Sequence, residues 1–157
     1  MKRLVFDPVT PYVNESRFNN ESDWKDFYGD IKEEDPHAMP EPLGKAVKTF
    51  CIVDANHAGN VVTRHSHSGV LIFIMNALII SYSKRQNTVE SASYGSKLVV
   101  MRIARDLVVA LRIKLKSFGV PLDGPTDTFT DNEAVYKNVT FPESALTKKH
   151  NSINYHM

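Results

Sequence analysis

Cysteine is nearly absent: Cys51 stands alone among 157 residues. That excludes an intramolecular disulfide and fits a reducing compartment. Long apolar runs are missing as well. The most apolar stretch, VLIFIMNALII from Val70 to Ile80, is broken by Asn76 and falls short of the ~20 residues a membrane-spanning helix needs. The start, MKRLVFDPVT, offers only Leu4, Val5 and Phe6 before Asp7 and Pro8, too little for a signal peptide. The expectation is a soluble, intracellular chain, cytoplasmic if expressed, with no membrane partner. No internal repeat appears. No Gly-x-Ser-x-Gly elbow marks a serine nucleophile, and no Gly-x-x-x-x-Gly-Lys loop marks a phosphate cradle.

What is present suits one domain, since 42% of the residues are hydrophobic and a chain of this length buries a real core. The formal net charge of +1 hides a division. Residues 1–46 hold six Lys/Arg against ten Asp/Glu, whereas residues 47–157 hold thirteen against eight. The first part reads as an acidic connector arm. Its run NNESDWKDFYGDIKEEDPHAMPEPLG has no sustained apolar period, so irregular backbone is expected. Trp24, Phe27 and Tyr28 are its apolar exceptions and are expected to pin it to a neighbouring surface. The mildly basic second part fits either an ordinary solvated surface or a binder of phosphate backbones.

From Ala46 the pattern becomes regular. AVKTFCIVD alternates Val47, Thr49, Cys51 and Val53 against Lys48, Phe50, Ile52 and Asp54, as a strand with a buried face does. GVLIFIM and ALIISYS read as two more strands joined tightly around Met75-Asn76. A long helix follows. Val100, Ile103, Ala104, Leu107, Val108, Leu111, Leu115 and Phe118 recur at steps of three and four, with Arg102, Arg105, Arg112 and Lys116 on other faces. Asn87 and Glu90 form a candidate capping box, and Gly119 with Pro121 stops the helix. TDTFT then reads as a fourth strand and DNEAVYKN as a short helix. The order β-β-β-α-β-α implies an α/β fold: a three-strand antiparallel meander feeding a strand–helix unit in a mixed sheet.

Two carboxylates stand at strand ends, Asp54 after CIV and Asp131 after TDTFT. If strands one and four are parallel neighbours, the two meet at one edge of the sheet and repel unless a cation lies between them. Paired Mg²⁺ ions about 3.5–4 Å apart, held by such acids, hydrolyse phosphodiesters. The plainer alternatives are a turn former at Asp54 and a helix cap at Thr130 or Asp131, with Glu133 completing a Thr-x-x-Glu box.

Five stretches in order, CIVDANHAG, RHSHSG, YSKRQ, FTDNEAVYKN and LTKKHNSINYH, resemble the ribonuclease H domain of copia-type retrotransposon polyproteins. The likeness runs from about Phe50 to His156. RLVFDPVTP and the acidic arm resemble the connector from the reverse transcriptase, so the missing polymerase domain becomes an implied partner and residues 47–157 a truncated ribonuclease H-like domain. The resemblance implies a ribonuclease H-like mixed sheet whose last strand and helix would lie past Met157. It also implies Mg²⁺-dependent cutting of RNA in RNA–DNA hybrids. Asp54 matches the strand-one acid and Asp131 the strand-four acid, both metal ligands. Where the family has a helix glutamate, before LVVM, this chain has Lys97; the fourth acid would lie beyond the C-terminus.

An ammonium facing a dication at ~4 Å and an effective dielectric of ~20 is repelled by ~8 kcal/mol, less where a flexible stem lets the head swing into water. Glu90 is no substitute, since seven helical residues place it ~10 Å away. The expectation is a catalytically dead copy; the alternatives are a non-enzymatic remnant that still binds nucleic acid and an expressed fragment with no biochemical role. Basic residues in turns and loops, Arg64, Lys84, Arg85, Lys148 and Lys149, fit either solvation or contact with a hybrid backbone. The same choice holds for Arg102, Arg105, Arg112, Lys114 and Lys116 on the helix. His57, His65 and His67 near Cys51 match no zinc spacing and read as polar loop histidines.

Overall fold

The computed structural model describes residues 35–140. Trp24, Phe27 and Tyr28 of the arm, and the basic pair Lys148 and Lys149, lie outside them. Four strands and two helices follow one another: β1 (Thr49–Asn56), β2 (His67–Ile74), β3 (Ala77–Arg85), α1 (Ser93–Ser117), β4 (Asp127–Thr130) and α2 (Glu133–Thr140). The strands form one mixed sheet in the order β3-β2-β1-β4. β1 pairs antiparallel with β2 and parallel with β4, and β2 pairs antiparallel with β3. Among the described residues no helix is long and apolar enough to cross a membrane.

Period-two alternation builds the sheet. In β1, Thr49, Cys51, Val53 and Ala55 are buried, while Ile52, Asp54 and Asn56 are exposed. β1 begins later than the apolar pattern does, because Val47 leaves the ladder for a single parallel bridge with Leu122. β2 and β3 turn at Met75-Asn76, where Met75 adopts a left-handed φ of 52° and its N–H donates to the Lys48 carbonyl at 2.8 Å.

α1 lies over one sheet face. Val100 and Ala104 meet Cys51, Val53, Val70 and Ile72, flanked by Ile103, Leu107, Val108 and Leu111. Full burial of a side chain such as Ile72 or Val100 contributes ~1.5–3 kcal/mol. α2 docks beside α1 through Val135, which packs with Tyr94, Leu98 and Met101. On the opposite sheet face the Phe50 and Phe73 rings stack at 4.6 Å, and Phe129 meets Phe50 edge-on at 6.3 Å.

The helix ends differ partly from the sequence expectation. The Asn87/Glu90 box is not used: α1 starts at Ser93, and its N-cap Ala92 offers no side-chain cap. The chain needs the intervening residues to cross from the end of β3 to the face where α1 packs. At the other end Gly119 does stop the helix. With φ +71° it lets its own N–H reach the Lys116 carbonyl and the Val120 N–H reach the Leu115 carbonyl, the paired bonds of a Schellman terminus. Phe118 follows the helical period but is 78% exposed, because it sits at this cap beyond the edge of the sheet.

Candidate functional site

The pairing of β1 with β4 creates the site. Its last rung is Val53 opposite Thr130, so Asp54, which stays paired with Gly69 of β2, and Asp131, which follows β4, come side by side just past that rung. The Asp54 carboxylate accepts the Ala55 N–H at 2.7 Å, which fixes its rotamer. Asp131 is not the helix cap. The Asn132 side chain takes that role, its Oδ1 accepting the Val135 N–H at 2.9 Å. Because Asn132 satisfies the first turn of α2, the Asp131 carboxylate is left to face Asp54.

Lys97 fills the space between them. It lies three residues before Val100 and seven before Ala104, on the stripe of α1 that faces the sheet. Helical side chains lean toward the N-terminus, so the Lys97 stem points past the last rung of β1 and β4. Its Nζ lies 3.3 Å from Asp54 Oδ1 and donates a short hydrogen bond to Asp131 Oδ1. The Lys97 side chain is 13% exposed, against 70% and 67% for its partners. The head therefore does not swing into water: two acceptors hold it in. Burial pulls the ammonium pKa down, but the hydrogen bonds and charges of Asp131 and Asp54 outweigh that and hold it above the usual lysine value.

Such a set does not fit a divalent metal. A metal would need the carboxylate oxygens that the ammonium now bonds, and would meet a positive charge in its own position. Among the described residues no group of three or more His, Cys, Asp or Glu could hold a metal. Of the histidines, His57 gives Nδ1 to a 2.7 Å hydrogen bond with Ser96 Oγ. Cys51 is fully buried on the helix side of β1, and burial lifts its thiol to a pKa of about 11.

Arg64, Lys84 and Arg85 are exposed and share the Asp54 end of the sheet. Ser68 pairs with Lys84 and with Ala55, and His67 pairs with Arg85 and with Asn56; Arg64 lies in the loop between β1 and β2. Two strand spacings, ~10 Å, separate the Lys84–Arg85 backbone from that of Asp54. Two helix cations make contacts within the fold. Arg112 donates to the Gly124 carbonyl at 3.1 Å and to Thr126 Oγ1 at 3.2 Å, and Lys116 pairs with Asp35.

One feature escaped the sequence reading. Gln86, 4% exposed, donates to Ser68 Oγ at 3.0 Å and to the Ser96 carbonyl at 2.8 Å. The Gln86 N–H reaches the Ser66 carbonyl, and Ser66 Oγ accepts the Ala58 N–H. This network ties β2, the end of β3, the loop after β1 and the start of α1 behind the carboxylates. Its signal was Ser68, a polar residue on the same side of β2 as Val70 and Ile72, where alternation calls for an apolar one.

No protein-family model matches the chain, and no solved structure matches it.

Proposed function

We propose that the chain is a ribonuclease H-like domain of copia-type retrotransposon descent that no longer cuts. Three features support the descent. The element order, with β1 between β2 and a parallel β4, is the order the resemblance implies. The two acids expected to converge do so at one sheet edge. The Ser-His-Ser-Gly and Ser-Lys-Arg-Gln stretches supply Ser66, Ser68 and Gln86 to a single buried network, a shared structural task that explains why they occur together. The reaction implied by descent is Mg²⁺-assisted hydrolysis of RNA in RNA–DNA hybrids, within a polyprotein whose polymerase domain would be the natural partner.

The observation that carries the loss of activity is the Lys97 ammonium between Asp54 and Asp131. With the metal positions refused, no divalent ion is there to polarise a phosphate and activate water, and the ammonium's single charge is taken up by the two carboxylates. The test is incubation of the chain with an end-labelled RNA–DNA hybrid and Mg²⁺ or Mn²⁺. No cleavage above buffer is expected. Cleavage that Asp54→Asn abolishes would refute the reading.

A second reading, a non-enzymatic nucleic-acid binder, has one observation in its favour: Arg64, Lys84 and Arg85 gather at the carboxylate end of the sheet. Filter binding across a salt series distinguishes it, since backbone contacts weaken steeply with salt.

A further inference from the structure

Two exposed carboxylates converging at a sheet edge repel one another, and the edge is held together only if something positive lies between them. Here the chain provides the charge itself. Lys97 reaches Asp54 near the end of β1 and Asp131 just after β4 from α1, so three elements distant in sequence meet at one nitrogen. The Lys97 side chain is largely buried, and its head is held by both carboxylates.

We infer that Lys97 is a tethered replacement cation: it clasps β1, β4 and α1 through Asp54 and Asp131, and makes this edge independent of, and closed to, divalent metal. The inference rests on this geometry alone and not on retrotransposon descent, so nuclease activity is not its readout. Removing the ammonium while keeping its apolar stem, as in Lys97→Met, leaves two unpaired carboxylates. That variant is less stable without metal and gains an affinity for divalent ions that the wild type lacks.

The test uses the 157-residue chain, with Mn²⁺ as the probe, followed by paramagnetic resonance titration and by thermal unfolding in EDTA or Mn²⁺. Wild type is expected to bind no stoichiometric Mn²⁺ and to melt at the same temperature in both. Lys97→Met is expected to melt ~3–8 °C lower in EDTA, to bind one Mn²⁺ at least tenfold more tightly than wild type, and to regain stability with it. Wild-type binding that matches Lys97→Met and vanishes with Asp54→Asn would overturn the inference. So would a folded Lys97→Met variant that acquires no Mn²⁺ site. Should Lys97→Met fail to fold, the charge-free combination Lys97→Met, Asp54→Asn, Asp131→Asn decides. Recovery of folding without metal supports the clasp, and continued failure points to lost packing and rejects it.

Discussion

Lys97 Nζ lies 3.3 Å from Asp54 Oδ1, although one residue sits on the second turn of a helix and the other lies two residues before the end of a strand. The contact exists because α1 packs its Val100–Ala104 stripe on β1, which carries the preceding position of that stripe past the last rung of the β1–β4 ladder. The parallel β1–β4 pair then brings Asp131 to the same nitrogen. Its strength falls between two regimes, the ~0.2–1 kcal/mol of an exposed pair and the ~3–5 kcal/mol lost when a buried pair is broken. One partner is buried and two are open to solvent, so Lys97→Met is expected to cost roughly 1–3 kcal/mol, part of it screened by salt.

Alkaline pH should weaken the fold through Cys51 first and then through Lys97, with Tyr94, whose pKa burial also raises, adding to the later decline. The folded pKa of Cys51 is about 11 against an ordinary 9.0, so between those values the unfolded chain loses a proton that the folded chain keeps. Stability falls across that window by up to about 3 kcal/mol. The pKa of Lys97 is also raised when folded, above 10.5. Its contribution is therefore whole below that value and is lost as pH rises through the folded one. Urea unfolding from pH 7 to 11.5 checks both. Cys51→Ala should flatten the decline that begins near pH 9, and Lys97→Met the later one. A profile unchanged by either variant would contradict the assignments.

Adjacent residues at the start of α2 should respond differently. Asn132→Ala removes the cap on the Val135 N–H and should cost about 1 kcal/mol, with little dependence on salt. Asp131→Asn leaves that cap intact but halves the charge facing Lys97, so its cost should shrink between 50 mM and 1 M NaCl. Denaturation curves at both salt concentrations separate the two roles. Equal salt dependence would mean that Asp131, not Asn132, anchors the helix.

Much of this was legible beforehand. The alternation in Thr49–Asn56, the hairpin at Met75-Asn76, the three- and four-residue steps of α1 and the stop at Gly119 are local patterns, and local patterns are written in one segment. The convergence of Asp54 and Asp131 followed once β1 and β4 were taken as parallel neighbours. What failed depended on tertiary choices. Asn87/Glu90 has the composition of a cap, but the crossing from β3 uses those residues as linker. Thr130, Asp131 and Asn132 can all cap a helix, and only the end of the β1–β4 ladder decides which one does. That Lys97 opposes a metal is legible from its position before LVVM, but that its head is held between both carboxylates is not, because its burial depends on how α1 sits on the sheet.

Gln86 should prove a sensitive position outside the hydrophobic core. Gln86→Ala removes the donor that serves Ser68 Oγ and the Ser96 carbonyl and opens a cavity where β3 hands over to α1. Leaving buried polar groups unsatisfied costs ~1–3 kcal/mol, and the lost volume adds to it. The same variant should raise amide exchange at Ala58, whose N–H is held by Ser66, because the network anchors that loop. Exchange confined to the α1 start, with the loop unchanged, would show that the two halves are independent.

The sheet end carrying Arg64, Lys84 and Arg85 sets the terms for any nucleic-acid contact. Lys97 offsets only one of the two carboxylate charges, so the Asp54–Asp131 side retains a net negative charge and repels phosphate, while the β3 side attracts it. Binding to a short hybrid at low salt should therefore come from the β3 side. Each of Lys84→Ala and Arg85→Ala should weaken it and reduce the slope of log K against log salt by up to ~0.9. Asp54→Asn, which removes a repelling charge, should strengthen it. Filter binding from 20 to 200 mM NaCl measures all three. If wild type fails to bind at 20 mM, the basic residues are a solvated surface and the binding reading is withdrawn. If it binds with a slope that neither β3 substitution changes, the contact lies elsewhere on the chain.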